Sequence, residues 1–129
     1  MEDGTAEVLR HKFDTDAGRE VRATLDLVGD KWSLMVVVLL VCGTRRFMEL
    51  RRDIGPISQR MLTRTLRRLE RDGLVVRTVH PVVPPRVEYT LTPLGQALSE
   101  AIQPVVDWAL ANQPELAAAR SSYDQAAEA

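Results

Sequence analysis

Cysteine occurs once in the 129 residues, at position 42, which excludes an intramolecular disulfide and a cysteine-based zinc cluster. Histidine occurs only at His11 and His80, far apart and both in segments that read as loops, and no partner set around either suggests a nucleophile or a metal. The seven glycines are scattered, so there is no glycine-rich loop to cradle a phosphate. The expectation is a protein that is not an enzyme and takes no cofactor and no metal. Lysine is also scarce, with only Lys12 and Lys31. The longest apolar run, residues 34–42, is nine residues, far short of the ~20 needed to span a bilayer. No Arg- or Lys-led apolar stretch with a small-residue cleavage site opens the chain, so the expectation is a cytoplasmic protein without a signal peptide or a membrane partner. What is present is 45% hydrophobic and 27% charged residues, the profile of a folded globular chain, in a length that fits a single domain.

The formal net charge of −1 hides a strong asymmetry. Residues 1–44 balance at −3, residues 45–86 carry 11 arginines against 4 acids for +7, and residues 87–129 balance at −5. A basic middle third inside acidic flanks is the footprint of a surface that meets a polyanion. The guanidinium fork suits both phosphate oxygens and guanine edges.

Periodicity divides the chain into a mainly helical sequence with one extended interruption. Residues 1–18 are polar and read as a loose arm. Val21, Leu25 and Val28 stand four and three apart and predict a short amphipathic helix over 19–28. Gly29 is its stop and Asp30 the N-cap of the next segment. Residues 31–42 are apolar almost all round, compatible with a buried strand or a central helix; length and the following Gly43 favour helix. Phe47, Leu50 and Ile54 mark a helix over 47–54, broken by Gly55 and Pro56. Ser58 then caps a helix over 59–72, with Leu62, Leu66 and Leu69 inward and Gln59, Arg60, Thr63, Arg64, Arg67 and Arg71 outward. That is a helix-turn-helix with a cationic outer face. Residues 74–79 and 86–91 alternate as strands, joined by a proline-rich tip over 80–85. A helix-turn-helix followed by a hairpin is the winged helix-turn-helix plan, mainly α with a small β-hairpin wing. Thr92 and Pro93 start a final helix, with Leu94, Leu98, Ile102, Val105 and Trp108 on one side and a bend or interruption at Pro104. Residues 111–129 read as a helical extension or a frayed tail, leaving 19–110 as the domain.

Several runs resemble the HxlR family of bacterial transcription regulators, a MarR-like group: Gly-Asp-Lys-Trp at 29–32, Arg-Phe-Met-Glu-Leu at 46–50, Ile-Ser-Gln-Arg-Met-Leu at 57–62, Leu-Arg-Arg-Leu-Glu-Arg-Asp-Gly-Leu at 66–74, and Pro-Pro-Arg-Val-Glu-Tyr-Thr-Leu-Thr at 84–92 followed by Gly95. They occur in the family's order over about residues 19–108. The resemblance implies a winged-helix DNA-binding fold, a homodimer built largely from terminal helices, and inverted-repeat operators. It also implies repression or activation of neighbouring genes, in many members those for aldehyde, quinone or disulfide stress. Family members often carry a cysteine about a dozen residues before the Lys-Trp pair; here residues 17–21 have none, with Arg19 near that place. Cys42, at the end of an apolar run, reads as an inert core residue.

A recognition helix meets base edges with its first turns. That nominates Ser58, Gln59, Arg60, Thr63 and Arg64, with Gln59 matched to adenine and Arg60 or Arg64 to guanine. Arg67 is expected against phosphates, and Arg86 in the wing against the backbone or the minor groove. Lys31, Arg45, Arg46 and His80 are further candidates for phosphate. Val21, Leu25, Leu98, Ile102, Val105 and Trp108 are the candidates for a two-fold interface. Trp32, Met35 and Trp108 read as core residues, or as the lining of a small-effector pocket between the core helix and the dimer helices. The alternative reading is a winged-helix module whose basic face binds an acidic protein or RNA.

Overall fold

In the computed structural model, residues 15–128 and, singly, Gly4 and Glu7 are described. Among them the elements run α1 (Asp16–Gly29), α2 (Lys31–Leu40), β1 (Arg45–Arg46), α3 (Phe47–Ile54), α4 (Gln59–Arg71), β2 (Val75–His80), β3 (Arg86–Leu91) and α5 (Pro93–Glu128). No helix among the described residues is long and apolar enough to cross a membrane.

Helix α1 begins three residues before the expected start. The Thr15 hydroxyl accepts the Gly18 N–H at 2.9 Å, and Asp16 lies in the positive first turn. Residues 16–18, read as the end of the loose arm, are therefore helical. The rest of that arm, with His11 and Lys12, lies outside the described residues apart from Gly4 and Glu7. Asp30 caps α2 by accepting both the N–H and the hydroxyl of Ser33, at 3.0 and 2.7 Å, which satisfies a serine buried at the helix base. That cap resolves the strand-or-helix ambiguity in favour of helix. Val36, Val37 and Leu40 form its buried face.

The helix ends at Leu40, and Cys42 follows in a turn, its N–H donating to the Leu39 carbonyl at 3.2 Å. Cys42 is exposed, which corrects the core assignment: it falls past the last buried position of the helix, where no facing element covers it. Met35 and Trp108 are likewise exposed, and only Trp32 packs half-buried against the core.

The helix-turn-helix forms where expected. Leu50 and Ile54 bury the inner face of α3, Gly55 takes φ 89°, and Ile57 plugs the turn at 4% exposure. Arg51 Nε donates across that turn to the Ile57 carbonyl at 3.4 Å. Ser58 Oγ accepts the Met61 N–H at 3.0 Å and starts α4, whose Leu62, Thr65, Leu66 and Leu69 are buried. The Thr65 hydroxyl donates to the Met61 carbonyl at 2.9 Å, so it is buried without an orphaned donor.

The sheet has three antiparallel strands in the order β1-β3-β2, one more than the hairpin expected. Arg45 pairs with Tyr89 and Arg46 with Glu88 along the free edge of β3. His80, expected in the loop, is the last residue of β2 and pairs with Arg86. Helix α5 starts from Thr92, whose Oγ accepts the Gly95 N–H at 3.0 Å. It then runs unbroken through Pro104 and Pro114 to Glu128. The expected interruption at Pro104 does not occur: the proline gives up its own N–H bond and crowds the carbonyl of residue 100, but the helix continues on both sides of it. At 36 residues the helix is roughly 54 Å long. Only its first third meets the core, through Gly95, Ser99 and Ile102.

Candidate nucleic-acid interface

The buried side chains of α4 fix where its other side chains point. At 100° per residue, Arg60, Arg64, Arg67 and Arg71 fall on the line opposite Leu62, Leu66 and Leu69. All four are exposed, and none has a carboxylate within 4.0 Å among the described residues. Their charge is therefore directed at solvent without internal neutralisation.

Gln59, Thr63 and Arg67 lie on the flank of α4 that turns towards the wing. Together with Phe47, Leu66, Glu70, Val87 and Tyr89 they line a groove of about 550 Å³. Across that groove stands Arg77 of β2, also exposed and without a carboxylate partner among the described residues. Arg67 and Arg77 thus flank a cleft between helix and sheet, over a floor that is partly apolar. The two candidate hydroxyls here already have local partners. Ser58 Oγ is occupied as the N-cap, and the Thr63 hydroxyl donates to the Gln59 carbonyl at 2.9 Å, keeping its acceptor capacity.

The wing candidates gather on the other face of the sheet. His80 Nε2 is 2.8 Å and Arg86 Nε 3.0 Å from the same oxygen of Glu88, Oε1. Arg46 lies opposite Glu88 in the neighbouring strand, so it shares that face. Arg45 takes the opposite face, half-buried, with its Nε 4.0 Å from Asp53 Oδ2, and is already partnered. Lys31 belongs to neither group: it is exposed at the start of α2, its Nζ 4.6 Å from the centre of the Trp32 ring.

Of the apolar candidates on the terminal helices, Ile102 is 5% exposed and Leu98 half-buried, both within one chain. Val21, Leu25, Val105 and Trp108 are exposed, at 47, 54, 62 and 58%.

Sequence reasoning missed Arg77 and Glu88. Each carried a signal. Arg77 alternates with Val75 and Val79, placing a cation on the strand face that Val75 buries. Glu88 is the one acid between the proline-rich tip and the final helix, two residues from Arg86 and so on its face.

A model of the HxlR-like helix-turn-helix family matches residues 27–116. The HTH-type transcriptional regulator YtfH of Escherichia coli is 46% identical over 99 residues, covering 77% of this chain and 79% of that protein. The HTH-type transcriptional regulator YdeP of Bacillus subtilis is 43% identical over 100 residues, 78% of each chain. Among solved structures, the transcriptional regulator YtfH of Salmonella typhimurium matches with a TM-score of 0.73 at 42% identity, covering 78% of this chain and 90% of that one. With the helix-turn-helix, the wing and the runs that carried the resemblance all in place, this chain belongs to the HxlR-like helix-turn-helix family of transcriptional regulators.

Proposed function

We propose that the chain is a sequence-specific double-stranded-DNA-binding regulator that acts as a homodimer on an inverted-repeat operator. The observation that carries this reading is the stripe Arg60, Arg64, Arg67 and Arg71, directed away from the core along α4 and without a carboxylate partner among the described residues. Helix α4 enters the major groove from its N-terminal end, with Arg60 and Arg64 at guanine edges and Gln59 at adenine. Arg67 and the wing residues Arg86, His80 and Arg46 meet the sugar-phosphate backbone. Arg45 is held back by Asp53.

A second copy covers the apolar side chains left open on α1 and α5, chiefly Val21, Leu25, Val105 and Trp108. The two-fold axis then presents two recognition helices to two half-sites, and doubles the basic block. A small effector belongs to the same reading. Its seat is not the expected set Trp32, Met35 and Trp108 but the cleft of about 450 Å³ between α1 and the start of α5, lined by Leu27, Leu74, Leu94 and Leu98 together with Glu20 and Asp72, within the size range of small-molecule sites. A ligand there would alter how the dimer helices sit on the DNA-binding body.

The deciding experiment is selection of duplexes from a random pool by the purified protein, followed by titration of the winners at several salt concentrations. Enrichment of an inverted repeat, bound more weakly as salt rises, supports the reading. Capture of RNA or an acidic protein with no duplex enriched would replace it with the alternative.

A further inference from the structure

The outer face of the wing holds one acid among its cations. Glu88 sits in the middle strand, opposite Thr78 of β2 on one side and Arg46 of β1 on the other. Its side chain is 24% exposed, and one of its oxygens lies within 3.0 Å of both His80 Nε2 and Arg86 Nε. Arg86 Nε is buried with its N–H off the line of that oxygen, so the contact is Coulombic rather than a hydrogen bond. Glu88 is the one carboxylate within 4.0 Å of either side chain among the described residues. The Arg86 side chain is nevertheless 41% exposed, and with Nε covered that exposure belongs to the rest of it.

We infer that Glu88 is a positioning residue for DNA binding: it holds His80 and Arg86 side by side at the base of the hairpin loop, so that the wing offers both side chains already ordered. The inference rests on the DNA-binding reading above. His80 and Arg86 are cross-strand partners, and without an anion between them they have no common anchor. A long side chain restrained before the encounter loses less freedom on binding, which is the general advantage of preorganisation. Charge alone argues the other way. A carboxylate on a surface that meets phosphates should weaken binding, so its removal should strengthen it. The two accounts therefore predict opposite signs for one substitution.

The test is titration of a selected duplex with the full chain, comparing wild type, E88A and the near-isosteric E88Q. The same Glu88 changes are then made in a chain already carrying H80A and R86A. Positioning predicts that E88A weakens binding about fivefold although it removes a negative charge, with E88Q in between because it keeps an oxygen beside His80 and Arg86 but not the charge. In the H80A/R86A background the loss should vanish or turn into a small gain. Binding by E88A and E88Q as tight as or tighter than wild type overturns the inference. Equal losses in both backgrounds overturn it too, since they would mean that Glu88 only stabilises the wing. A wild-type chain that binds no duplex overturns the DNA reading itself, and is recognised before any variant is compared.

Discussion

The carbonyl oxygen of Leu74 occupies the space in which a side chain at Gly95 would have to begin, and Leu91 Cδ2 closes the other side at 2.9 Å. Thr92 ties the same junction, its N–H donating to the Leu74 carbonyl at 3.0 Å and its hydroxyl to the Gly73 carbonyl at 2.6 Å. The end of α4, both wing strands and the start of α5 therefore meet at one closely packed point. This contact ties the wing to the end of α4.

Gly95→Ala should accordingly be among the most damaging single-methyl changes in the chain. A carbonyl is backbone and cannot rotate aside, so α5 must shift away from the sheet. The expected loss is about 1–3 kcal/mol of stability, read as a lowered midpoint in urea or thermal unfolding. A midpoint equal to that of wild type would show that the junction is looser than described.

Arg64→Ala and Arg86→Ala should differ in kind. Arg64 lies on the outward line of α4, early enough to reach a base edge, so its loss should cost about 1–3 kcal/mol at particular base pairs and relax selectivity there. Arg86 belongs to the wing, and its loss should weaken binding by a similar factor on every operator variant. Titration against a panel of single-base operator variants separates the two. Equal loss across the panel for Arg64→Ala would remove it from the reading surface.

Arg77→Ala examines a contact that the sequence did not suggest. Arg67 and Arg77 flank the groove between α4 and the wing, where a strand of the duplex would pass once the helix lies in the major groove. Losing one phosphate contact should reduce the slope of log affinity against log salt by about 1, without changing operator preference. An unchanged slope would place Arg77 away from the backbone.

Trp108→Asp places a charge on the exposed side of α5, beyond the part of the helix that meets the core. Folding of the single chain should be little affected, because Trp108 is 58% exposed in it. Sedimentation at micromolar concentration should show wild type as a dimer and the variant as a monomer. Operator affinity should fall by about tenfold or more, as two half-sites cease to be bound by one linked particle. A dimer that survives this change would move the interface elsewhere.

The elements most legible in the sequence are those set within a turn or two of chain. Asp30, Ser58 and Thr92 cap the helices that follow them, and the 47–54 helix and the 86–91 strand fall where their periodicity puts them. The basic face of α4 was equally readable, because Leu62, Leu66 and Leu69 define the inward side and the arginines must then point outward. The errors share a different origin. β1 is two residues long and exists only because it lands on the edge of β3, so it has no period to detect. Cys42 looked like core because it ends an apolar run, but the helix stops before it.

By itself, then, the sequence determined the order of helices and strands, their caps, and the concentration of positive charge in the middle third. Each of these depends on interactions between neighbours in the chain, or on simple counting. Tertiary structure alone decided that Arg45 turns to Asp53 while Arg46 shares a face with Glu88, that Arg77 looks across a groove at Arg67, and that Ile102 is buried while Trp108 is not. Those outcomes depend on strand register and on which element covers which face. Both are set by contacts between residues far apart in the chain, which no local pattern records.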